Sequence, residues 1–341
     1  MRRFVDKLVK LDPEGGPLTP EQVAVWKQNI QLLIQQGPNA IPAIREFLLK
    51  NTDFDFSGSG GERAMGYQTA RAAMFDALTQ IGGPLAVAAM SEVLQSTADP
   101  REIALLGQSL EKLDAGLHLA ETMEAVRQSL AMAAEGKLPE RDVAPLFETI
   151  RQYGGQGAVA ELEANARNWN YYAMIALGQL PDNAGVPSLI QFASDSSGAA
   201  NLGLKTAAFQ VLAELASKSD DARDALLGAI RGNQLGPYDW QMLAPILGGY
   251  QMVYHNSAFD NFLTQVNPND IRRTHLTFGD QSYATIPLGS LTEEQINRQS
   301  ALIDQVLAVT TDPLAQQQLQ KARAMLAQRH LQLSSTGAPN G

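Results

Sequence analysis

The chain has 341 residues, 45% apolar and 18% charged, with a formal net charge of −10 and an isoelectric point near 4.9. That is enough apolar material for two average domains or one elongated array, and it speaks against global disorder. The acidic balance disfavours nucleic-acid and anionic-membrane binding, the absence of cysteine removes disulfides, thiolate catalysis and Cys-based zinc, and no run of about 18 apolar residues is present to span a membrane.

Met1-Arg2-Arg3 has the basic start of a signal peptide, but Asp6, Lys7 and Lys10 spoil the apolar stretch that must follow. The expectation is a soluble, cytoplasmic chain, although a trimmed exported fragment fits the same residues. Residues 1–19 read as an N-terminal cap segment. Thr19-Pro20-Glu21-Gln22 is a helix start, with a hydroxyl cap, Pro at the first position and Gln three residues on. The stripe Val23, Trp26, Ile30, Leu33 and Ile34 leads to the corner Gly37-Pro38-Asn39, and Ile41, Ile44, Phe47 and Leu48 continue beyond it. A Gly/Ser-rich loop, 51–61, separates this pair from the stretch that organises the chain, Arg71 to Gln95. There Ala70, Ala73, Met74, Ala77, Leu78 and Ile81 follow the spacing of one helix face. Gly82-Gly83 ends that helix, Pro84 starts another, and Ala86, Met90, Val93 and Leu94 make the second stripe. Two helices joined by so short a turn lie antiparallel, and a neighbouring pair must cover their remaining apolar edge.

Asp99-Pro100 opens a third pair, turning at Ala115-Gly116, and Val143 to Ile150 precedes Gly154-Gly155 in a fourth. Trp169 to Leu180 and Val186 to Ala193 flank Pro181-Asp182-Asn183, and Leu204–Leu215 with Ala222–Ile230 forms a sixth. Four corners superpose: Ala40-Ile41-Pro42-Ala43-Ile44, Ala86-Val87-Ala88-Ala89-Met90, Ala158-Val159-Ala160-Glu161-Leu162 and Gly185-Val186-Pro187-Ser188-Leu189. The shared pattern is small, β-branched, Pro or Ala, any, large aliphatic, after a turn containing Gly or Pro. This resembles the HEAT-repeat (armadillo-like) family over roughly residues 20–235. The resemblance implies a right-handed α-solenoid whose surface serves protein partners. The chain departs from that family in its variable repeat lengths and in the absence of a regular Asp and Arg ladder.

Beyond Tyr238 to Tyr254, which reads as helix, residues 255–290 form an irregular insert. Within it, Thr274–Phe278, Gly279-Asp280 and Gln281–Ile286 read as a β-hairpin in which Leu276 faces Tyr283 and His275 faces Ala284. Ser290 with Glu293 reads as a capping box ahead of helices at 291–309 and 313–329, and 331–341 as a frayed tail.

The candidate chemistry is thin. In the loop 51–62, counting from Asp53 gives a calcium-like start but puts Ala64 at the twelfth position. Counting from Asn51 gives Glu62 there but puts Phe56 where Gly is required. The plainer reading tucks Phe54 and Phe56 against the hairpins. The four histidines, His118, His255, His275 and His330, share no ligand spacing, and there is no phosphate loop, nucleophile elbow or dinucleotide fingerprint. The aromatic concentrations are Trp169, Tyr171 and Tyr172, and Tyr238, Trp240, Tyr250 and Tyr254, which either anchor an interface or fill the seam between repeats.

The expectation is therefore an all-α, right-handed α-solenoid of about six to seven helical hairpins, with the array at 20–254, the insert at 255–290 and a closing helical pair at 291–330. Its expected role is a non-catalytic scaffold for a protein or peptide, with no cofactor, metal or nucleic acid. Candidate partner-binding residues are Trp169, Tyr171, Tyr238, Trp240, Tyr254, His255, His275 and Tyr283. The alternative is an enzyme or small-ligand binder with its site between the last repeats and the insert.

Overall fold

In the computed structural model several helix starts carry a short polar cap, among them Thr19, Thr69, Asp99, Ser219 and Thr292. The described residues are 18–50, 52–56, 64–138, 142–195, 202–254, 275–278, 281–287 and 291–336. The chain forms two compact units, Met1–Gly154 with Ser257–Asp270, and Gly155–Asn256 with Ile271–Gly341.

In the first unit α1 (Pro20–Gln35) starts at the predicted capping box: Gln22 N–H donates to Thr19 Oγ1 at 3.2 Å and Thr19 N–H to Gln22 Oε1 at 2.8 Å. A short 3-10 turn, Gly37–Ala40, leads into α2 (Ile41–Leu49). The organising stretch becomes α3 (Ala70–Ile81) and α4 (Gly83–Leu94). Gly82 and Gly83 take φ of +66° and +80° at the corner, a region that an L side chain enters only with strain. Helices α5 (Pro100–Leu113), α6 (Leu119–Ala134) and α7 (Ala144–Tyr153) follow. The first helices of the pairs pack in one row, α1 on α3, α3 on α5 and α5 on α7, and the second helices in another, α2 on α4 and α4 on α6. The first row is the more enclosed. In α3 every residue from Ala70 to Thr79 is buried except Asp76. Met74, Phe75 and Leu78 are wholly buried, each stabilising the unit by about 1.5–3 kcal/mol.

The second unit repeats the plan. Helices α8 (Ala158–Asn165), α9 (Asn170–Gly178), α10 (Val186–Ser194), α11 (Leu202–Leu215), α12 (Asp220–Arg231) and α13 (Pro237–Leu247) precede strand β1 (Tyr250–Tyr254). Strands β2 (His275–Phe278) and β3 (Gln281–Pro287) and helices α14 (Glu293–Val309) and α15 (Pro313–Thr336) complete it. One row runs α9, α11, α13, α15 and the other α10, α12, α14. Helices approach closely at two glycines. A Cβ on Gly178 would collide with Val211, and one on Gly185 with the carbonyl of Leu177.

Three expectations change. The helix read at Tyr238 to Tyr254 stops at Leu247, where Gly248 and Gly249 (φ +89°) break it, and Tyr250–Tyr254 is a strand. Its Tyr-Gln-Met-Val-Tyr is rich in residues that suit a pleated surface. The capping box sits two residues later than read, at Thr292 with Gln295, which puts buried Ile296 in phase with the helix core. The C-terminal helix runs to Thr336 rather than fraying at 331. The predicted hairpin has the predicted register, His275 opposite Ala284 and Leu276 opposite Tyr283. The structure adds β1 as a third strand beside β3, with Met252 opposite Thr285, in the order β1-β3-β2. This sheet lies against the first-row helices: β1 contacts α9, α11 and α13, and β3 contacts α9. Helix α9 is buried continuously from Tyr171 to Leu177, as expected of a helix covered on all sides. The fold is all-α in its main body, built of repeated helical hairpins with one small sheet.

Candidate functional site

A polar recess lies in the first unit, at the N-terminal ends of α3 and α5. It has a volume of about 410 Å³. Residues 52–56 form its rim. Phe56 N–H donates to Gln68 O at 2.8 Å and Ala70 N–H to Phe54 O at 3.0 Å, so the loop pairs with the segment entering α3. Phe56 is wholly buried, edge-on to Trp26 of α1 with ring centroids 5.4 Å apart, and Trp26 also lies 5.9 Å from Tyr67. Aromatic packing therefore fixes residues 52–56 in place. Asn51 and residues 57–62 of the proposed calcium loop lie outside the described residues. Among the described residues no group of three or more His, Cys, Asp or Glu could hold a metal.

Arg71, the second residue of α3, is the centre of the recess. Its side chain is 4% exposed. The guanidinium donates from Nε and Nη2 to both oxygens of Glu102 on α5, the second at 2.9 Å, and from Nη1 to the carbonyl of Leu48 at the end of α2. It also lies 5.8 Å from the centre of the Phe75 ring. Glu102 accepts a further bond from Thr97 Oγ1 at 2.7 Å. Its helix is capped by Asp99, whose Oδ1 accepts from Arg101 N–H at 2.9 Å. Arg101 reaches across the recess to Gln68 Oε1.

On the loop side Asp53 Oδ1 accepts from Phe54 N–H at 2.7 Å and Arg71 N–H at 3.0 Å, and its carboxyl also bonds the Thr69 hydroxyl. Residue Asp53 as a whole is exposed, yet its carboxyl faces inward: loss of solvation raises its pKa above the usual carboxylate range, partly offset by those donors, with Glu102 adding to the rise. The polar lining counts four carboxylates, Asp53, Asp55, Asp99 and Glu102, against two guanidinium groups, Arg71 and Arg101. Phe75, Leu105 and Leu138 supply its apolar wall. The arrangement can receive a hydrogen-bonding, positively charged group.

Among the described residues the aromatic candidates do not gather into one surface. Trp169, Tyr171 and Trp240 are buried, at 6%, 2% and 3% exposure, and fill the second unit's core. This corrects their placement on an interface: each lies at the start of a first-row helix, where neighbouring helices close over it. Tyr238 is 59% exposed and stands away from them on the opposite side of α13's first turn. Tyr254, His275 and Tyr283 lie on β1, β2 and β3, where only the backbone is described, and His255 lies outside the described residues. Sequence reasoning missed Arg71, Glu102 and Arg101, and weighed Asp53 only as a calcium ligand. The signal available was Arg71 itself, a charge set among Ala70, Ala72 and Ala73 in an otherwise apolar helix.

Residues 170–195 match the family model described as PBS lyase HEAT-like repeat. The chain carries a HEAT-like repeat. The matched residues are α9, the 3-10 turn Pro181–Asn183 and α10. This HEAT-like hairpin includes the Gly185–Leu189 corner whose pattern recurs at 40–44, 86–90 and 158–162. No curated protein matches the chain. Among the described residues no helix is long and apolar enough to cross a membrane.

Proposed function

We propose that the protein is a non-catalytic interaction scaffold whose helical hairpins hold a docking recess for a protein or peptide partner. The observation that carries this reading is the recess around Arg71: a pocket of about 410 Å³ whose walls come from two successive hairpins, at the starts of α3 and α5, with Leu138 and the loop 52–56. Its rigidity is built in. Arg71 ties α3 to α5 and to the end of α2, so the walls are fixed before a partner arrives, which lowers the ordering cost of binding. Its excess of carboxylates favours a partner that inserts a lysine or arginine, with the half-buried Leu138 taking the aliphatic stem. The HEAT-like hairpin at 170–195 supports the scaffold reading at the level of architecture. Repeat arrays of this kind present extended surfaces suited to macromolecular partners.

The test is selection of a random peptide library on the full-length chain, counter-selected on the Asp55→Lys variant. The reading expects enriched sequences to share a basic residue and to be lost from the variant. Sequences without a basic residue, or bound equally by both proteins, would remove the recess as the docking site.

A further inference from the structure

Outside the recess, one carboxylate is used in an unusual way. Glu214, in the last turn of α11, accepts a hydrogen bond from Met252 N–H of β1 at 3.2 Å. Among the described residues β1 is an edge strand of the sheet, paired only with β3. Alternate amides of an edge strand face away from the neighbouring strand and need another acceptor, and Glu214 provides one. Met252 itself is 1% exposed, its side chain buried where β1 crosses α9, α11 and α13. The chain just before β1 is pinned separately, by Gln299 Nε2 donating to Leu247 O at 3.0 Å. One turn before Glu214, Gln210 Nε2 reaches Met242 O at 3.4 Å, so this face of α11 is a polar seam beneath an apolar strand.

We propose that Glu214 is a proton-operated latch that holds the β1 edge of the sheet on the first-row helices of the second unit. Protonated, the carboxyl sits under β1 without the cost of a buried charge. Ionised, it must either hold that charge beneath the strand or regain water, and regaining water lifts β1 from α11. The residue is partly exposed but its carboxyl is desolvated, and this burial pushes it up to about 7 from 4.5; the Met252 N–H and the Lys218 ammonium act in the opposite direction. Around it, α9 and α10 bring no carboxylate or cation between Asn170–Gly178 and Val186–Ser194, and β1 brings tyrosines at 250 and 254. On α13 Asp239 is bonded to Thr206 Oγ1 at 2.7 Å, near the other end of α11. On α12, which bears Asp220, Asp221, Arg223, Asp224 and Arg231, the first acid pairs with Arg223 at 2.8 Å and is 84% exposed.

The sign follows from linkage. A carboxyl raised in the closed state binds more protons closed than open. Its contribution to closure is full below the open-state value and is lost as pH rises through about 7. Hydrogen exchange on the full chain reads it directly, with rates corrected for intrinsic pH dependence. Between about pH 6 and about pH 8 the protection of the Met252 and Val253 amides should fall about tenfold, while helices α3 and α5 stay level. Glu214→Gln keeps the acceptor and removes the titration, so its protection should not vary over that range. Lys218→Met should move the fall to higher pH. Constant protection in the native chain, an undiminished fall in Glu214→Gln, or an unmoved midpoint in Lys218→Met would each overturn the latch.

Discussion

Arg71 shows how one buried charge can organise a unit. Taking a guanidinium out of water is costly, and the cost is offset only because Glu102 meets it with two oxygens and Leu48 with a carbonyl. Removing one partner leaves the other charge buried without a mate. Arg71→Ala should therefore destabilise the first unit by about 3 kcal/mol, measured by urea unfolding. Replacing both partners with apolar groups, Arg71→Met with Glu102→Leu, should recover most of that loss, since the uncompensated carboxylate is gone. A double variant as unstable as the single one would show that the ion pair is not the source of the effect. Phe56 belongs to the same scale. It is wholly buried against Trp26, and Phe56→Ala should cost about 3–5 kcal/mol and free the loop that rims the recess.

Between elements, the hairpins depend on where backbones touch. Gly185 follows the 3-10 turn Pro181–Asn183, and its missing Cβ lets the start of α10 pass against the Leu177 carbonyl of α9. Gly185→Ala forces that backbone apart and should destabilise the protein by about 1–3 kcal/mol. Gly228 is the opposite case: it lies in α12 with nothing within 4 Å of a built Cβ. Gly228→Ala should raise stability by about 0.4–1 kcal/mol through the unfolded chain and helix propensity. Thermal melts of the two variants should move in opposite directions. The stripes at 70–81 and 86–94, the Gly82-Gly83 corner and the Thr19–Gln22 cap were all legible in the sequence, because each depends on neighbours within a few residues. Strand β1 was not. Tyr250–Tyr254 is short enough to read as a continuation of α13, and its pairing with residues 283–287 spans a distance that local patterning does not carry. The recess was illegible for the same reason: Asp53, Arg71 and Glu102 are brought together by the stacking of hairpins, and their spacing in the chain has no period.

At the scale of the molecule, each unit buries its apolar stripes by laying hairpin on hairpin in two rows, first helices with first and second with second. First-row helices such as α3 and α9 are enclosed on nearly all sides, and the aromatic side chains Trp169, Tyr171 and Trp240 serve the core. What the first unit leaves open is polar and already braced, and that is why docking is assigned to the recess at α3 and α5 rather than to an aromatic patch. The decisive measurement is calorimetric titration of a library-selected basic peptide into the full chain and into Asp55→Lys, with both proteins shown to melt at the same temperature. The account predicts at least about a tenfold weaker dissociation constant in the variant, a change of about 1.4 kcal/mol; an unchanged constant in an equally folded variant would contradict it.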